Sequence, residues 1–164
     1  MSMSGPSHAA ILERARSLCN EARYTVALQF RRLGCVEPED AQFIFRWWAD
    51  LQFLVVALRR MRRAAELCSR AAPEVRAAIA DFDRALPCLA KMRNVGEHID
   101  AYALDDPKRH DHSIDRKQLQ VGTWNGIVFQ WLGCELDIGV AVKATESLWE
   151  VVAGATTGHR SIMP

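Results

Sequence analysis

From His8 to about Leu33 the apolar residues Ile11, Ala15, Leu18, Ala22, Val26, Phe30 and Leu33 return every three or four positions, a spacing that lines them along one face of a helix. Gly34 closes that run. Glu37-Pro38-Glu39-Asp40 supplies proline and acids for a new first turn, and the pattern restarts at Phe43. Trp47, Leu51, Leu54, Leu58, Met61, Ala65 and Cys68 carry it on to Ala71. Ile44, Trp48 and Val55 widen the apolar surface, so this second helix is expected to be the backbone of a bundle with neighbours on two sides. Its tryptophan pair suits a core or an interface. Ala72-Pro73-Glu74 interrupts the pattern, Val75 to Leu86 restores it, and Pro87 should kink that helix or divide it in two. Leu89, Met92, Val95, Gly96 and Ile99 then share one side of a helix that fades near Leu104. The segment from Asp105 to Asp115, DDPKRHDHSID, has no period and is expected to be an exposed loop.

After that loop the pattern changes. Leu119, Val121, Trp124, Ile127, Val128, Phe129 and Trp131 are rich in aromatic and β-branched types around Asn125-Gly126, the strongest short signal for a hairpin with a type I′ turn. Leu136 to Ile138 suggests another extended piece, and Val142, Leu148, Val151 and Val152 belong to a last helix. The expected fold is mainly α: a helical bundle of four long helical segments, a β-hairpin and a C-terminal helix. The whole chain, 1–164, is expected to form one domain, with a helical core at 8–104, the hairpin region at 118–138, the last helix at 139–153 and a disordered tail at 154–164.

A content of 49% hydrophobic residues is enough for a sizeable core at this length, and a net charge of +1 gives no global attraction to nucleic acid or an anionic membrane. One local patch stands out, Arg59, Arg60, Arg62 and Arg63, relieved only by Glu66; it suits a solvated helix face or an RNA track. The five cysteines (Cys19, Cys35, Cys68, Cys88 and Cys134) are odd in number, widely spaced and never in a C-x-x-C pair. That spacing speaks against a disulfide framework or a zinc ribbon and favours a reducing cytoplasm. Met1 to Ser7 has no basic-then-apolar signal pattern, and the longest apolar run, Phe53 to Leu58, is too short to cross a bilayer, so a soluble protein without membrane attachment is expected.

The richest chemistry lies in Arg93-Asn94-Val95-Gly96-Glu97-His98. A guanidinium grips phosphate oxygens through a planar fork, and an imidazole titrating near neutrality moves protons to or from a ribose hydroxyl. Arg93 and Glu97, four apart, also fit a surface ion pair of little weight. In one straight helix Arg93 and His98 project about 140° apart. Two copies of the helix meeting on a two-fold axis would combine them in one groove. Asn94 and His98 are spaced for a hydrogen bond that would fix the imidazole tautomer, and Gly96 suits the close approach of another helix. His110-Asp111-His112, with His98, offers ligands of the kind zinc takes, although the segment has no rigid framework. Asp100, Asp105 and Asp106 lie in no apolar pocket that would suit an acid–base pair of carboxylates. Asp50, in an apolar stretch, invites a buried partner such as an arginine.

Arg93-Asn94-x-x-x-His98, late in a helical bundle, resembles the R-x(4-6)-H motif of the HEPN superfamily, in which a polar residue commonly follows the arginine. Leu89 to Asp100, the hairpin Gly122-Thr123-Trp124-Asn125-Gly126 and Trp131-Leu132-Gly133 are also similar to small bacterial proteins of this helical type. The resemblance covers mainly residues 8–104. It implies a dimeric bundle acting as a metal-independent endoribonuclease without cofactors, often in toxin–antitoxin or antiviral settings where a cognate antitoxin is a partner. By position Arg93 and His98 would be the catalytic pair and Asn94 their RNA-binding or orienting companion. The alternative is a non-catalytic homodimeric module that binds RNA, a nucleotide or a protein partner.

Overall fold

A computed structural model describes residues 5–35 and 45–158. Its elements come in the order α1 (His8–Gly34), α2 (Arg46–Cys68), α3 (Val75–Ala85), α4 (Leu89–Glu97), α5 (Ile99–Ala103), a 3-10 turn (Arg116–Gln120), β1 (Thr123–Trp124), β2 (Val128–Trp131), β3 (Cys134–Asp137) and α6 (Ile138–Gly158). The mainly helical class with a small sheet and a C-terminal helix is as the sequence predicts. The opening of the second helix at Glu37-Pro38-Glu39-Asp40, with Phe43 and Ile44, lies outside the described residues, as do 1–4 and the end of the tail, 159–164.

Helices α1 and α2 form an antiparallel pair. At one end Arg32 Nε donates to Asp50 Oδ1 at 2.7 Å and Arg46 Nη2 donates to the Cys35 carbonyl at 2.9 Å. At the other end Cys19 of α1 lies near Cys68 of α2. Asp50 is buried and finds the arginine partner that its apolar surroundings require. The buried stripe of α1 is Leu12, Ala15, Cys19, Ala22, Val26 and Gln29. Phe30, expected on that face, points to solvent while Gln29 is buried, so the stripe is rotated from the one drawn through the largest apolar side chains. On α2 the buried residues include Leu51, Leu54, Leu58, Met61, Ala65 and Cys68, as the periodicity predicts.

Helix α6 rests on α1, where the Arg23 guanidinium is held by both Glu146 carboxylate oxygens and lies 5.6 Å from the Trp149 ring centre. Asp137 Oδ1 accepts from Val140 N at its start. The helix continues to Gly158, so residues 154–158 are helical rather than part of the disordered tail that their glycine and threonine content suggests.

The sheet is antiparallel in the order β1-β2-β3 and pairs Phe129 with Leu136 and Trp131 with Cys134. Phe129, Trp131, Cys134 and Leu136 face inward; outside, Gln130 Nε2 donates to Glu135 Oε1 at 2.8 Å. Trp48 packs edge-on against both Phe129 and Trp131, with ring centres 5.6 and 5.4 Å apart. Gly122 lies against Trp48 so closely that a Cβ would overlap the indole. The first hairpin differs from expectation. Its loop is Asn125, Gly126 and Ile127, with positive φ at Gly126 but not at Asn125, whose Oδ1 accepts from the amides of Ile127 and Val128. A two-residue turn with positive φ at both positions is found instead at Leu132-Gly133, between β2 and β3. Burial of Leu132 offsets the strain of about 1–2 kcal/mol that this conformation imposes. Residues 118–120, expected within the hairpin region, belong to the 3-10 turn Arg116–Gln120, at whose start Asp115 and Gln118 make a capping box.

Cys88, beside the start of α4, and Cys134, at the start of β3, form a disulfide with Cα atoms 5.8 Å apart. This corrects the expectation drawn from cysteine spacing, and the case for a reducing compartment loses that support. Spacing along the chain holds no record of the sheet folding back onto α4. Among the described residues no helix is long and apolar enough to cross a membrane.

Candidate functional site

Pro87 separates α3 from α4, and α4 carries Arg93 and Asn94 along the side of α2. Gly96 allows that approach, since a Cβ there would stand 3.0 Å from Gln52 Oε1. Arg93 is mostly buried; its Nη2 pairs with Glu97 Oε2 one turn later, and its Nε is buried without a hydrogen-bond partner. Arg59 of α2 lines the same space and also has a buried, unpartnered Nε. Burial, then the charges of Arg62, Arg63 and Arg93, lower the pKa of Arg59 from its ordinary value. With Lys91, Asn94, Tyr102, His110 and Asp111 these arginines line an open notch of about 400 Å³.

Tyr102 organises the notch from behind. Its side chain is fully buried, and its hydroxyl accepts from Asn94 Nδ2 and from the Asp111 amide, each at 3.2 Å. One oxygen thereby ties α4 to the loop bearing His110. Asp111 turns its carboxylate toward Ser113, accepting from the Ser113 hydroxyl at 2.6 Å and amide at 3.0 Å, and these bonds hold its pKa below the ordinary carboxylate value.

His98 stands at the break between α4 and α5. Its φ of −117° and ψ of 35° interrupt the helix, and its carbonyl accepts the first amides of α5, from Ala101 and Tyr102. The imidazole is exposed, and its ring centre lies 6.2 Å from that of His110. His110 lines the notch with the two arginines and His98 stands beside His110, so the arginines can bind an oxyanion with an imidazole at hand to exchange protons.

Two expectations change here. The angular relation of Arg93 to His98 assumes one straight helix, but α4 ends at Glu97 and the backbone at His98 is non-helical before α5 begins. The Asn94 amide is committed to Tyr102 rather than to His98. Arg59, Arg93, Asn94 and His110 line one notch of a single chain, whereas His98 is not among the residues lining it and is linked to it through His110, so Arg93 and His98 are not brought into one pocket here. His110 and His112 do not combine with other residues into a metal-binding set: no group of three or more histidine, cysteine, aspartate or glutamate residues among the described residues is placed to hold an ion. The basic run of α2 splits three ways. Arg59 faces α4, Arg62 is held by both carboxylate oxygens of Asp83, and Arg60 and Arg63 border α1. Lys91 and Tyr102 carry no motif that a sequence reading could single out.

Compared with protein-family models, with curated proteins and with solved structures, the chain has no match.

Proposed function

We propose that this chain is a metal-independent endoribonuclease of the HEPN type, with Arg93 and His98 as the catalytic pair. The observation that carries this reading is that His110 lines the Arg59–Arg93 notch and His98 stands next to His110, their ring centres 6.2 Å apart; the motif resemblance supports it. In the reaction a ribose 2′-hydroxyl attacks the adjacent phosphorus while His98 accepts its proton. Arg93 stabilises the charge that builds on the phosphoryl oxygens. The bond from phosphorus to the 5′-oxygen breaks, that oxygen takes a proton from an imidazolium, and a 2′,3′-cyclic phosphate and a 5′-hydroxyl remain. Asn94, held by Tyr102, keeps the notch in shape.

The same reading includes a homodimer. Phe53 and Ile99 are exposed beside an apolar groove of about 340 Å³ between α2 and α4 whose wall includes Arg93 and Glu97. A two-fold contact there would bring two copies of α4 together.

Purified protein is incubated with mixed RNA, with and without EDTA, beside His98→Ala and Arg93→Lys. Cleavage unaffected by chelator and ending in cyclic phosphate is expected, falling about 10²–10⁴-fold in His98→Ala and sharply in Arg93→Lys, which lacks the bidentate fork. Equal degradation by wild type and His98→Ala would overturn the assignment. A second reading, a non-catalytic homodimeric module binding RNA, a nucleotide or a protein partner, is favoured by the Arg93–Glu97 ion pair, which occupies part of the guanidinium. Under that reading RNA binds but is not cut.

A further inference from the structure

Arg59, Lys91 and Arg93 converge on the notch from two helices, and neither Arg59 nor Lys91 makes a hydrogen bond or ion pair with another described residue. Their neighbours divide in a way that preserves the positive charge. Arg62, one turn from Arg59, is neutralised by Asp83 and Glu66. The Asp111 carboxylate is hydrogen-bonded to Ser113 and stays ionised near Lys91, so with Glu97 it offsets two of the three positive charges and leaves one in excess. Glu97 covers only one arm of Arg93. The notch therefore joins excess positive charge to unused guanidinium and ammonium donors, on a floor fixed by the buried Tyr102 hydroxyl. Guanidinium and ammonium donors at close quarters are the chemistry that recognises a phosphate group.

We propose that Arg59, Lys91 and Arg93 form a phosphate-binding site complete within one subunit, with Arg59 as its second guanidinium. It takes the phosphate of a phosphodiester or of free phosphate. The proposal deepens the ribonuclease reading, for which it would hold a phosphate of the RNA strand, but binding at the notch does not depend on catalysis.

Binding of inorganic phosphate is followed by titration calorimetry and that of a short single-stranded oligouridylate by fluorescence anisotropy, for the wild type, Arg59→Ala, Lys91→Ala and Arg63→Ala, with circular dichroism as a check on folding. Phosphate should bind the wild type, and Arg59→Ala should weaken it roughly ten- to a hundredfold, the loss of a charge-assisted hydrogen bond. Arg63→Ala, which borders a different groove, should bind as the wild type does. Oligouridylate binding that falls in parallel identifies the strand as the source of the phosphate; phosphate binding without oligouridylate binding identifies a free-phosphate site and removes the ribonuclease reading. The proposal is overturned if phosphate does not bind, or binds folded Arg59→Ala and Lys91→Ala as tightly as wild type. Metal-independent RNA cleavage retained in that case would leave the Arg93–His98 reading standing alone.

Discussion

Burial decides the chemistry of the three free thiols. Cys19 is enclosed between α1 and α2, where desolvation, with the neighbouring Cys68, pushes its pKa from 9.0 up to about 12. Cys68 is raised for the same first reason, burial. Cys35 lies exposed at the end of α1. Because the thiolate is the reactive form, native-state alkylation followed by mass spectrometry should label Cys35 rapidly and leave Cys19 and Cys68 unmodified until the protein unfolds. The same burial makes stability depend on pH. In the unfolded chain Cys19 ionises near 9.0 but in the folded protein only near 12, so the thiol's contribution is complete below pH 9.0 and is lost as pH rises toward 12. The sequence shows five cysteines but nothing of this division, since exposure depends on which turn of a helix meets a neighbour. Asp50 was legible for the opposite reason: a carboxylate among apolar residues must find a partner.

Helices were legible wherever one side of a segment faced the core over many turns, as on α2. The end of α4 was not. The apolar positions of Leu89 to Ile99 continue across His98 without interruption, and the break there accompanies contacts beyond helical spacing, the fixing of Tyr102 by Asn94 and Asp111 eight and nine residues away. Tyr102→Phe should test that. Removing the hydroxyl leaves Asn94 Nδ2 and the Asp111 amide without their acceptor, a cost of about 1–3 kcal/mol. Hydrogen exchange should accelerate at the Asp111 amide and through 105–115 while α1 and α2 keep their protection. Unchanged exchange in that loop would show that the tyrosine ring alone holds it. The turn at Leu132-Gly133 escaped notice because leucine is rare at positive φ and only burial of its side chain makes the conformation tolerable.

Across the whole molecule the mainly helical class and its small sheet arise from the switch between two periodicities, whereas the candidate site depends on how α4, α5 and the polar loop fold against α2. That is why Arg93 and His98 could be named from sequence, and Arg59 could be seen only as one of four arginines. The Cys88–Cys134 link holds this arrangement in register by joining α4 to the sheet. In the chain-entropy view, closing a loop of this length restricts the unfolded state by about 4 kcal/mol, and measured effects run near 2–4 kcal/mol. Cys88→Ser should lower the free energy of unfolding in urea by that range, and adding reductant to the wild type should do the same. If both leave the unfolding midpoint unchanged, the bond does not hold the fold together.

The two linked cysteines stand 46 positions apart, and every motif residue, both imidazoles, Lys91 and Tyr102 lie between them. The chain is thus a covalent ring carrying two linear arms: α1 to α3 on one side, α6 on the other. Arg59 belongs to an arm and reaches the ring only by packing. A single backbone scission at the exposed Pro107-Lys108 would open the ring without dividing the molecule, and both halves of the notch would stay tethered until the sulfur bridge was reduced.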